Sequence, residues 1–380
     1  MEPFKSVFSE ALVLQVASHL KQHLPDADAD AFVGTVLPSL DALELKARAA
    51  LIAERLHAVL PADPGQRASV LQAMLHPDEL DHAGLPSDAR GLCGWAILPL
   101  TLLVARHGVA DFDRSMALLR EMTKRFSAEF GVRAFLRADQ ARALHILSGW
   151  VADPNRHVRR LVSEGTRPRL PWGERLPGLV RDPSPMLSLL TRLRDDPEPY
   201  VRRSVANHLN DIARDHPDLV RRLAGEWLHG ADANRRALLR HACRGLIRRG
   251  DAQALAVFGH AAPRLAPARP ERSPARVCMG EALSIRLALR STADEPQRLA
   301  VDYVLHLLKA NGRLSPKVFK GAIIELPPRA SILFERSHRF REVTTRRHYP
   351  GRQALSVRIN GVDTEAVAFE LLPAARKRGT

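Results

Sequence analysis

Charged and polar side chains recur at every fourth position in three segments of this chain. Residues four apart lie on the same face of an α-helix, so each segment is predicted to present a stripe of polar groups. Carboxylates can accept a proton or stabilise a positive charge, and arginines can bind phosphate groups. The same spacing is also common on solvated helices, where an Arg–Glu pair adds about 0.2–0.5 kcal/mol. The stripes comprise Arg125, Glu129 and Arg133; Arg160 and Glu164; and Arg203, Asn207 and Asp211.

Glu164 stands at a position where a carboxylate is usually unfavourable. The segment HVRRLVSEGTRPRLPW (157–172) predicts a helix that ends at Gly165, with Glu164 in its last turn. A negative charge there faces the negative end of the helix dipole, which typically costs about 0.3–1 kcal/mol. We therefore expect Glu164 to serve a function, and to remain a stronger base than a carboxylate at a helix N-terminus.

The last two stripes belong to a sequence repeat. DPNRHVRRLVSE begins at Asp153 and DPEPYVRRSVAN at Asp196, an offset of 43 residues that aligns Glu164 with Asn207. A weaker copy, ANRRALLRHACR, follows 37 residues later from Ala233. Periods of about 40–47 residues, with a helix starting after Asp-Pro, are typical of HEAT-type helical pairs. Such pairs stack around one concave surface, so we expect two stripes to lie side by side there and the third to join them.

The chain is predicted to have two domains joined by a short linker. Residues 1–265 carry the apolar spacing of helices, including one over 112–130, and form the predicted HEAT-like domain. Residues 266–276 are rich in Pro, Ala and Arg and are the predicted linker. In 277–380 the period changes to two, and six or seven short segments predict an antiparallel immunoglobulin-like β-sandwich. The predicted fold class is mainly α: a HEAT-like helical repeat solenoid followed by a C-terminal immunoglobulin-like β-sandwich.

The composition narrows the classes of partner and chemistry. A net charge of +15 and an isoelectric point near 10.6 favour a polyanion such as nucleic acid. No Lys occurs between residues 125 and 308, so every basic Lys or Arg position there is Arg. A GC-rich genome would explain this preference for Arg as well as selection for guanidinium chemistry would. The three cysteines lack metal-site spacing, and no Gly-rich phosphate loop or Ser-His-Asp arrangement is visible, so neither metal nor cofactor is expected. Without an apolar run of about 18 residues or a signal-peptide layout, we expect a cytoplasmic protein with no membrane contact.

The chain shares five segments with a known family: GWAILPL (94–100), DFDRSMALLREMTKRFSAEFGVRAFL (111–136), HVRRLVSEGTRPRLPW (157–172), YVRRSVANHLNDIARDHPDLV (200–220) and ALAVFG (254–259). By these motifs it resembles the AlkC group of HEAT-like-repeat DNA glycosylases, in the AlkC/AlkD superfamily. The likeness covers roughly residues 5–260, and some members also carry a C-terminal immunoglobulin-like domain. One departure is Ala134, where the group commonly has Pro; it affects a helix end rather than the chemistry.

The resemblance implies a monofunctional DNA glycosylase of base excision repair that uses no cofactor. Its typical substrates would be N3-methyladenine and N3-methylcytosine in double-stranded DNA, whose N-glycosidic bond it would hydrolyse. We expect a monomer that associates with the nucleoid when bound to DNA. By motif position, the implied catalytic residues are Glu129, Glu164, Asp211 and Trp172, and the implied DNA-binding residues are Arg133, Arg160, Arg167, Arg169, Arg203 and Asn207.

The implied chemistry suits these residue types. An N3-alkylated base already carries positive charge and leaves without a general acid, so an oxocarbenium-like sugar and an attacking water remain. Carboxylates would stabilise the sugar cation and accept the proton of the water, and Trp172 would pack on the sugar or base edge. The repeats that carry Glu164, Trp172 and Asp211 contain no Lys, so we expect no Schiff-base lyase step.

A non-catalytic scaffold is the alternative, because HEAT arrays commonly bind DNA or protein through their surface. In that case, removing the carboxylates would leave function unchanged or tighten DNA binding. The β-domain is also basic, which suggests that it contacts DNA from the far side of the duplex. Its basic residues include Lys317, Lys320, Arg336, Arg339, Arg341, Arg346 and Arg347.

Overall fold

The computed structural model describes residues 4–79, 86–342 and 347–374. Arg346, one of the basic residues expected to contact DNA, lies outside these ranges. Contacts between Cα atoms divide the chain into two compact units. The first contains the residues up to 215 together with 231–242, and the second contains 216–230 and the residues from 243 onward. The second unit therefore combines a few helices with the β-domain.

The first unit is helical, as the apolar spacing predicts. Its first long helix follows Ser9, whose hydroxyl accepts a hydrogen bond from the Leu12 N–H at 3.4 Å and so caps the N-terminus of the helix. None of the described helices is long and apolar enough to span a membrane. The α-helices of both units are α1 (Glu10–His23), α2 (Ala29–Leu40), α3 (Leu45–Val59), α4 (Pro64–Ala73), α5 (Ile97–His107), α6 (Phe112–Thr123), α7 (Val132–Ala138), α8 (Gln140–Gly149), α9 (Arg156–Glu164), α10 (Pro177–Arg181), α11 (Ser184–Leu193), α12 (Pro199–Ile212), α13 (Pro217–Leu228), α14 (Ala233–Ala242), α15 (Arg244–Arg249) and α16 (Ala252–Val257). Short 3₁₀ helices cover Phe4–Val7, Gly94–Ala96, Val109–Asp111 and Trp150–Ala152.

The repeated segments stack on one another, as the 43-residue offset predicts. Helix α12 packs against both α9 and α14. Asp153 and Asp196 begin equivalent turns, because each carboxylate accepts a hydrogen bond from the N–H two residues later, at 2.8 and 2.9 Å. These Asp-Pro turns fix the start of each helix. Residues that are 43 apart in the sequence therefore occupy equivalent positions in α9 and α12.

One arginine of each Val-Arg-Arg motif is structural. Arg159 donates to the carbonyls of Asp153 and Pro154 at 2.9 and 3.0 Å. Arg202, in the next repeat, donates to the equivalent carbonyls of its own Asp-Pro turn at 2.5 and 2.8 Å. This arginine therefore closes the loop that begins the helix, and it is the following arginine, Arg160 or Arg203, that reaches the polar surface.

The prediction of one helix over residues 112–130 is confirmed for its first part and wrong for its second part. Helix α6 ends at Thr123, and the residues from 124 to 131 form turns before α7 begins. The Thr123 hydroxyl accepts a hydrogen bond from the Ala128 N–H, and the Arg125 guanidinium donates to the His76 carbonyl at 2.7 Å. These contacts end the helix and bury Arg125. Arg125, Glu129 and Arg133 are therefore not one helical stripe.

The second unit contains two sheets, as the change of period to two predicts. In the strand Ala282–Arg290, Leu283, Ile285, Leu287 and Leu289 are buried and form the core with the facing strands. The strands are β1 (Glu271–Ser273), β2 (Arg276–Cys278), β3 (Ala282–Arg290), β4 (Gln297–Leu308), β5 (Leu314–Leu326), β6 (Ser331–Arg339), β7 (Gly351–Ile359), β8 (Val362–Asp363) and β9 (Val367–Leu372). One sheet has the order β1-β3-β6, and the other has the order β2-β9-β7-β4-β5 with β8 paired to β7.

Two details of the β-domain differ from the expectation. Strand β1 and the first residue of β2 fall within the predicted linker, because three-residue strands next to Pro are too short to show alternation. In addition, β2 pairs with β9 in parallel, so the sheet is not purely antiparallel. Residues 271–278 thus contribute edge strands to the sandwich.

Candidate active site

Glu164 is buried at the end of α9 and is held by three neighbouring side chains. Its Oε1 accepts a hydrogen bond from Arg167 Nη1 at 2.6 Å, and Arg160 Nη2 lies 3.6 Å away. Its Oε2 accepts from the Ser204 hydroxyl of α12 at 2.6 Å. These contacts compensate the burial of a charge at the unfavourable end of the helix dipole. They also join the two repeats at this carboxylate.

Arg167 connects Glu164 with Asp211. While Nη1 binds Glu164, its Nε donates to Asp211 Oδ2 at 2.9 Å, and all three side chains are buried. The repeat alignment places Glu164 opposite Asn207 and therefore one turn away from Asp211. The expected side-by-side arrangement of the two stripes is confirmed, with Arg167 from the loop after α9 lying between them.

The two carboxylates have opposite pKa shifts. Burial raises the pKa of Glu164, but the charges of Arg160 and Arg167 and the Ser204 hydroxyl outweigh it, so this pKa lies below its ordinary value. Burial also raises the pKa of Asp211, and here the single partner Arg167 does not fully offset it, so this pKa lies above its ordinary value. The place of Glu164 at a helix C-terminus led us to expect a stronger base than a carboxylate at a helix N-terminus, but its guanidinium partners lower its pKa. Asp211 is the more basic of the two.

Glu129 belongs to the same polar network through Arg160. The Arg160 Nη1 atom donates to Glu129 Oε2 at 2.9 Å and to the Ser127 hydroxyl at 3.1 Å. The Arg160 guanidinium also lies over the Tyr200 ring, 4.7 Å from its centroid. Glu129 thus joins the other two stripes as expected, although it reaches them from a turn and not from a helix.

Trp172 lies in the same loop as Arg167 and is exposed. Its side chain is 62% exposed, and its backbone has φ = 63°, a left-handed conformation that is uncommon for a residue with a side chain. The Lys46 ammonium donates to its carbonyl, and the Phe4 ring lies 6.2 Å from its indole. The fold therefore brings a lysine beside Trp172, which the absence of Lys from the repeats did not predict.

Arg133 is not available to bind DNA, contrary to the expectation. It is buried, and its Nη1 atom donates to the carbonyls of Gly165 and Arg167, both at 2.9 Å. Its Nε donates to the Glu174 carbonyl at 2.7 Å, and burial lowers its pKa to about 10. Arg133 therefore holds both ends of the loop 165–174, which carries Arg167 and Trp172. Arg167 is also buried, and its guanidinium is bound to the carboxylates of Glu164 and Asp211.

Arg133→Lys is expected to destabilise the fold and loosen this loop. A lysine cannot reach three carbonyls in the planar geometry of a guanidinium, and each buried carbonyl that loses its donor costs about 1–3 kcal/mol. We expect the free energy of unfolding, measured by urea denaturation, to fall by roughly 2–4 kcal/mol. Arg137→Lys, on the exposed face of the same helix, is the matched control and should have little effect. Equal stability of both variants would contradict the assignment.

Comparison with known proteins identifies similar sequences and a similar solved structure. Residues 113–246 match the family described as "DNA alkylation repair enzyme", and residues 267–373 match "Uncharacterised protein YhaZ, C-terminal Ig-like domain". The "Uncharacterized protein YhaZ" of Bacillus subtilis (strain 168) is 34% identical over 373 residues, which cover 98% of this chain and 100% of that protein. The solved structure of "Pseudomonas fluorescens alkylpurine DNA glycosylase AlkC bound to DNA containing an abasic site analog" is 38% identical, has a TM-score of 0.81, and is matched over 97% of this chain and 99% of its own. The chain belongs to the AlkC family.

Membership of the AlkC family confirms the resemblance that the motifs carry. It also confirms the predicted fold class, a helical AlkC-like region followed by an immunoglobulin-like domain. Among the described residues, no group of three or more His, Cys, Asp or Glu side chains could hold a metal ion.

The remaining polar residues of this AlkC-family surface are more accessible. Arg203 is exposed, and one of its nitrogens lies 3.4 Å from His241 Nε2. The Asn207 amide oxygen lies 3.0 Å from the same His241 nitrogen. Arg169 forms a two-point ion pair with Asp215 at 2.7 and 2.8 Å. Arg203 and Asn207 can therefore meet a phosphate without breaking a buried ion pair, whereas Arg169 must exchange a partner.

Sequence reasoning missed Ser204, Tyr200 and Lys46. Ser204 aligns with Leu161 at the 43-residue offset, so the repeat gives no indication that it binds Glu164. Tyr200 aligns with His157, and the centroids of the two rings are 5.6 Å apart. This contact between equivalent positions becomes visible only when the repeats are stacked. Lys46 lies 126 residues before Trp172 in the chain.

Proposed function

We propose that this AlkC-family protein is a DNA glycosylase that hydrolyses the N-glycosidic bond of cationic alkylated bases, with N3-methyladenine and N3-methylcytosine as substrates. The observation that carries the proposal is the buried Glu164–Arg167–Asp211 bridge, with the exposed Trp172 in the same loop as Arg167, in a chain similar over nearly its full length to an alkylpurine DNA glycosylase. The bridge holds two carboxylates within the reach of one arginine, and a second arginine, Arg160, lies 3.6 Å from Glu164.

The pKa shifts suggest a division of roles between the carboxylates. An N3-alkylated base is a good leaving group without protonation, so the enzyme must stabilise the sugar cation and activate a water. Glu164, with its lowered pKa, stays ionised and supplies negative charge to the cation. Asp211, with its raised pKa, is the better proton acceptor for the water. Glu129 is held in the same network by Arg160, and Trp172 packs on the sugar or base edge.

A panel of methylated duplexes tests the function. The full chain is incubated with DNA that contains N3-methyladenine, N3-methylcytosine or N7-methylguanine, and the released base is quantified. We expect release of the two N3-methylated bases and an intact strand at the abasic site, as for a monofunctional enzyme. Borohydride trapping of the chain on abasic DNA would contradict monofunctional action, and loss of the trapped product in Lys46→Met would identify the nucleophile.

Arg203→Gln is expected to weaken DNA binding without changing sequence preference. The Arg203 guanidinium is exposed, and loss of one phosphate contact reduces the slope of log Kd against log salt by about 1. We expect a several-fold weaker Kd for duplex DNA, measured by fluorescence anisotropy across a salt series. Arg55→Gln, on an exposed position of α3, is the control. An unchanged salt slope in Arg203→Gln would argue against a phosphate contact.

We also propose that the β-domain contacts DNA through its basic strands. Arg336 and Arg339 of β6 are exposed, as is Lys317 of β5, whereas Lys320 is paired with Asp302 at 2.8 Å. Deleting residues 270–380 would cut through the second compact unit, so charge substitution is the cleaner test. Arg336→Gln combined with Arg339→Gln should weaken DNA binding several-fold and leave the melting temperature unchanged. Wild-type affinity in this double variant would count against the contact.

A further inference from the structure

The first compact unit contains an apolar cavity of about 770 Å³ whose lining includes Glu129 and Trp172. This volume is within the range of about 300–1,000 Å³ that is typical of small-molecule sites. The cavity lies between α3, α5 and α7, and its lining includes the rings of Trp95, Phe126 and Phe130. The Trp95 and Phe126 rings are 4.9 Å apart. The cavity therefore offers aromatic surfaces next to two of the proposed catalytic residues.

The charged groups that line the cavity already have polar partners, either an opposite charge or a backbone carbonyl. Glu129 binds Arg160, and Glu174 forms an ion pair with Arg137. The Lys46 ammonium donates to the Trp172 carbonyl. A ligand that carries a full charge would have to displace one of these partners or enter an apolar space without a partner, which is costly. The lining therefore favours a neutral, flat and aromatic molecule that can stack on its rings.

The proposed reaction produces such a molecule at this place. When the bond between C1′ of the sugar and the base nitrogen breaks, its electron pair stays with the base and cancels the positive charge of the alkylated ring. The released base is then neutral, planar and aromatic, and it leaves from a position beside Glu129 and Trp172.

We propose that the cavity lined by Trp95, Phe126, Phe130 and Trp172 binds the free, neutral methylated base after excision. This inference rests on the proposed function and adds a product site to it. Binding there removes the base from the path of the water and separates it from the abasic sugar, which opposes re-formation of the glycosidic bond. It also predicts that the free base inhibits the enzyme.

A binding titration with free N3-methyladenine tests the product site. The full chain is titrated in the absence of DNA, and the quenching of tryptophan fluorescence is followed, because Trp95 and Trp172 line the cavity. In parallel, the same free base is added to multiple-turnover excision assays. We expect saturable quenching, and a fall in excision rate over the same concentration range.

Cavity-filling variants locate the binding. Ala105→Phe on α5 and Ala134→Leu on α7 insert bulk from two different helices that line the cavity. Each should weaken base binding and inhibition at least tenfold. Ala58→Phe, at an exposed position of α3 that does not line the cavity, should bind the base like the wild type. Melting curves show which variants are folded, and two independent variants keep the test valid if one is not.

The outcomes separate this inference from the proposed function. Excision by the wild type without quenching or inhibition by free base would overturn the product site and leave the glycosylase function standing. Equal affinity in the cavity-filling and control variants would also overturn it. If the wild type excises none of the methylated bases, the proposed function fails, and the product site fails with it even if the base quenches fluorescence.

Discussion

Asp211→Asn should lower the single-turnover rate of N3-methyladenine excision by about 10²–10⁴-fold, the usual effect of removing a general base. The substitution keeps the size of the side chain and its contact with Arg167 Nε, but an amide cannot take a proton from the attacking water. The buried position of Asp211 and its raised pKa make it the more basic carboxylate of the site. DNA affinity should change only a few-fold, because the substitution does not remove a basic group. Quenched-flow or manual sampling with excess enzyme measures the chemical step directly.

Asp215→Asn is the matched control for this prediction. Asp215 lies just after the same helix, is exposed, and pairs with Arg169. Its substitution removes the same formal charge within a few residues of Asp211 and should leave the single-turnover rate near that of the wild type. A similar loss in both variants would show that the general electrostatic field, and not proton transfer at Asp211, is responsible.

The pH dependence of the wild type provides a second check on Asp211. A general base acts only in its deprotonated form, so excision should fall as the pH drops through the pKa of this carboxylate. Since that pKa is raised above its ordinary value of 3.8, the acid limb of the rate should lie above that value. In Asp211→Asn the residual rate should no longer show this limb. Full activity of the variant at all pH values would support the alternative of a non-catalytic surface with carboxylates that play no role.

The repeat explains why much of this site was predictable from the sequence. The 43-residue offset fixes which positions of α9 and α12 face each other, and helical spacing then places Glu164 near Asp211. Both steps depend on regular backbone, which local sequence patterns indicate well. Strand β3 was predictable in the same way from its alternation of buried and exposed residues, and β4 from its apolar run, which is mostly buried.

The contacts that the sequence did not reveal are those of irregular segments. Arg167 and Arg133 both read as basic residues on a DNA-binding surface. Only the folded loop 165–174 shows that Arg167 is buried between two carboxylates and that Arg133 binds three carbonyls of this loop. The end of α6 at Thr123 likewise depends on Arg125 reaching the His76 carbonyl, 49 residues earlier in the chain. Long-range bonds of this kind leave no periodic trace in the sequence.

Glu164→Gln is the second substitution with a large expected effect. Glu164 supplies a negative charge that remains ionised because its pKa is lowered by Arg160, Arg167 and the Ser204 hydroxyl against the effect of burial. Removing one preorganised electrostatic group from an active site typically reduces the rate by about 10²–10³-fold. We expect a single-turnover excision rate lower by that factor. Unlike Asp211→Asn, this variant should keep the acid limb of the rate, since Asp211 remains in place.

The control for Glu164→Gln must remove a carboxylate from the same pair of repeats without touching the bridge. Glu198 is suitable, because it lies just before α12 and pairs with Arg156 on a partly exposed surface. Glu198→Gln should retain the wild-type rate. Combining Glu164→Gln with Asp211→Asn then distinguishes two mechanisms. If the residues have separate roles as charge and base, the losses should multiply, but since Arg167 links them, we expect the double variant to lose less than the product. A fully multiplicative loss would show that the Arg167 bridge does not couple the two carboxylates in the transition state.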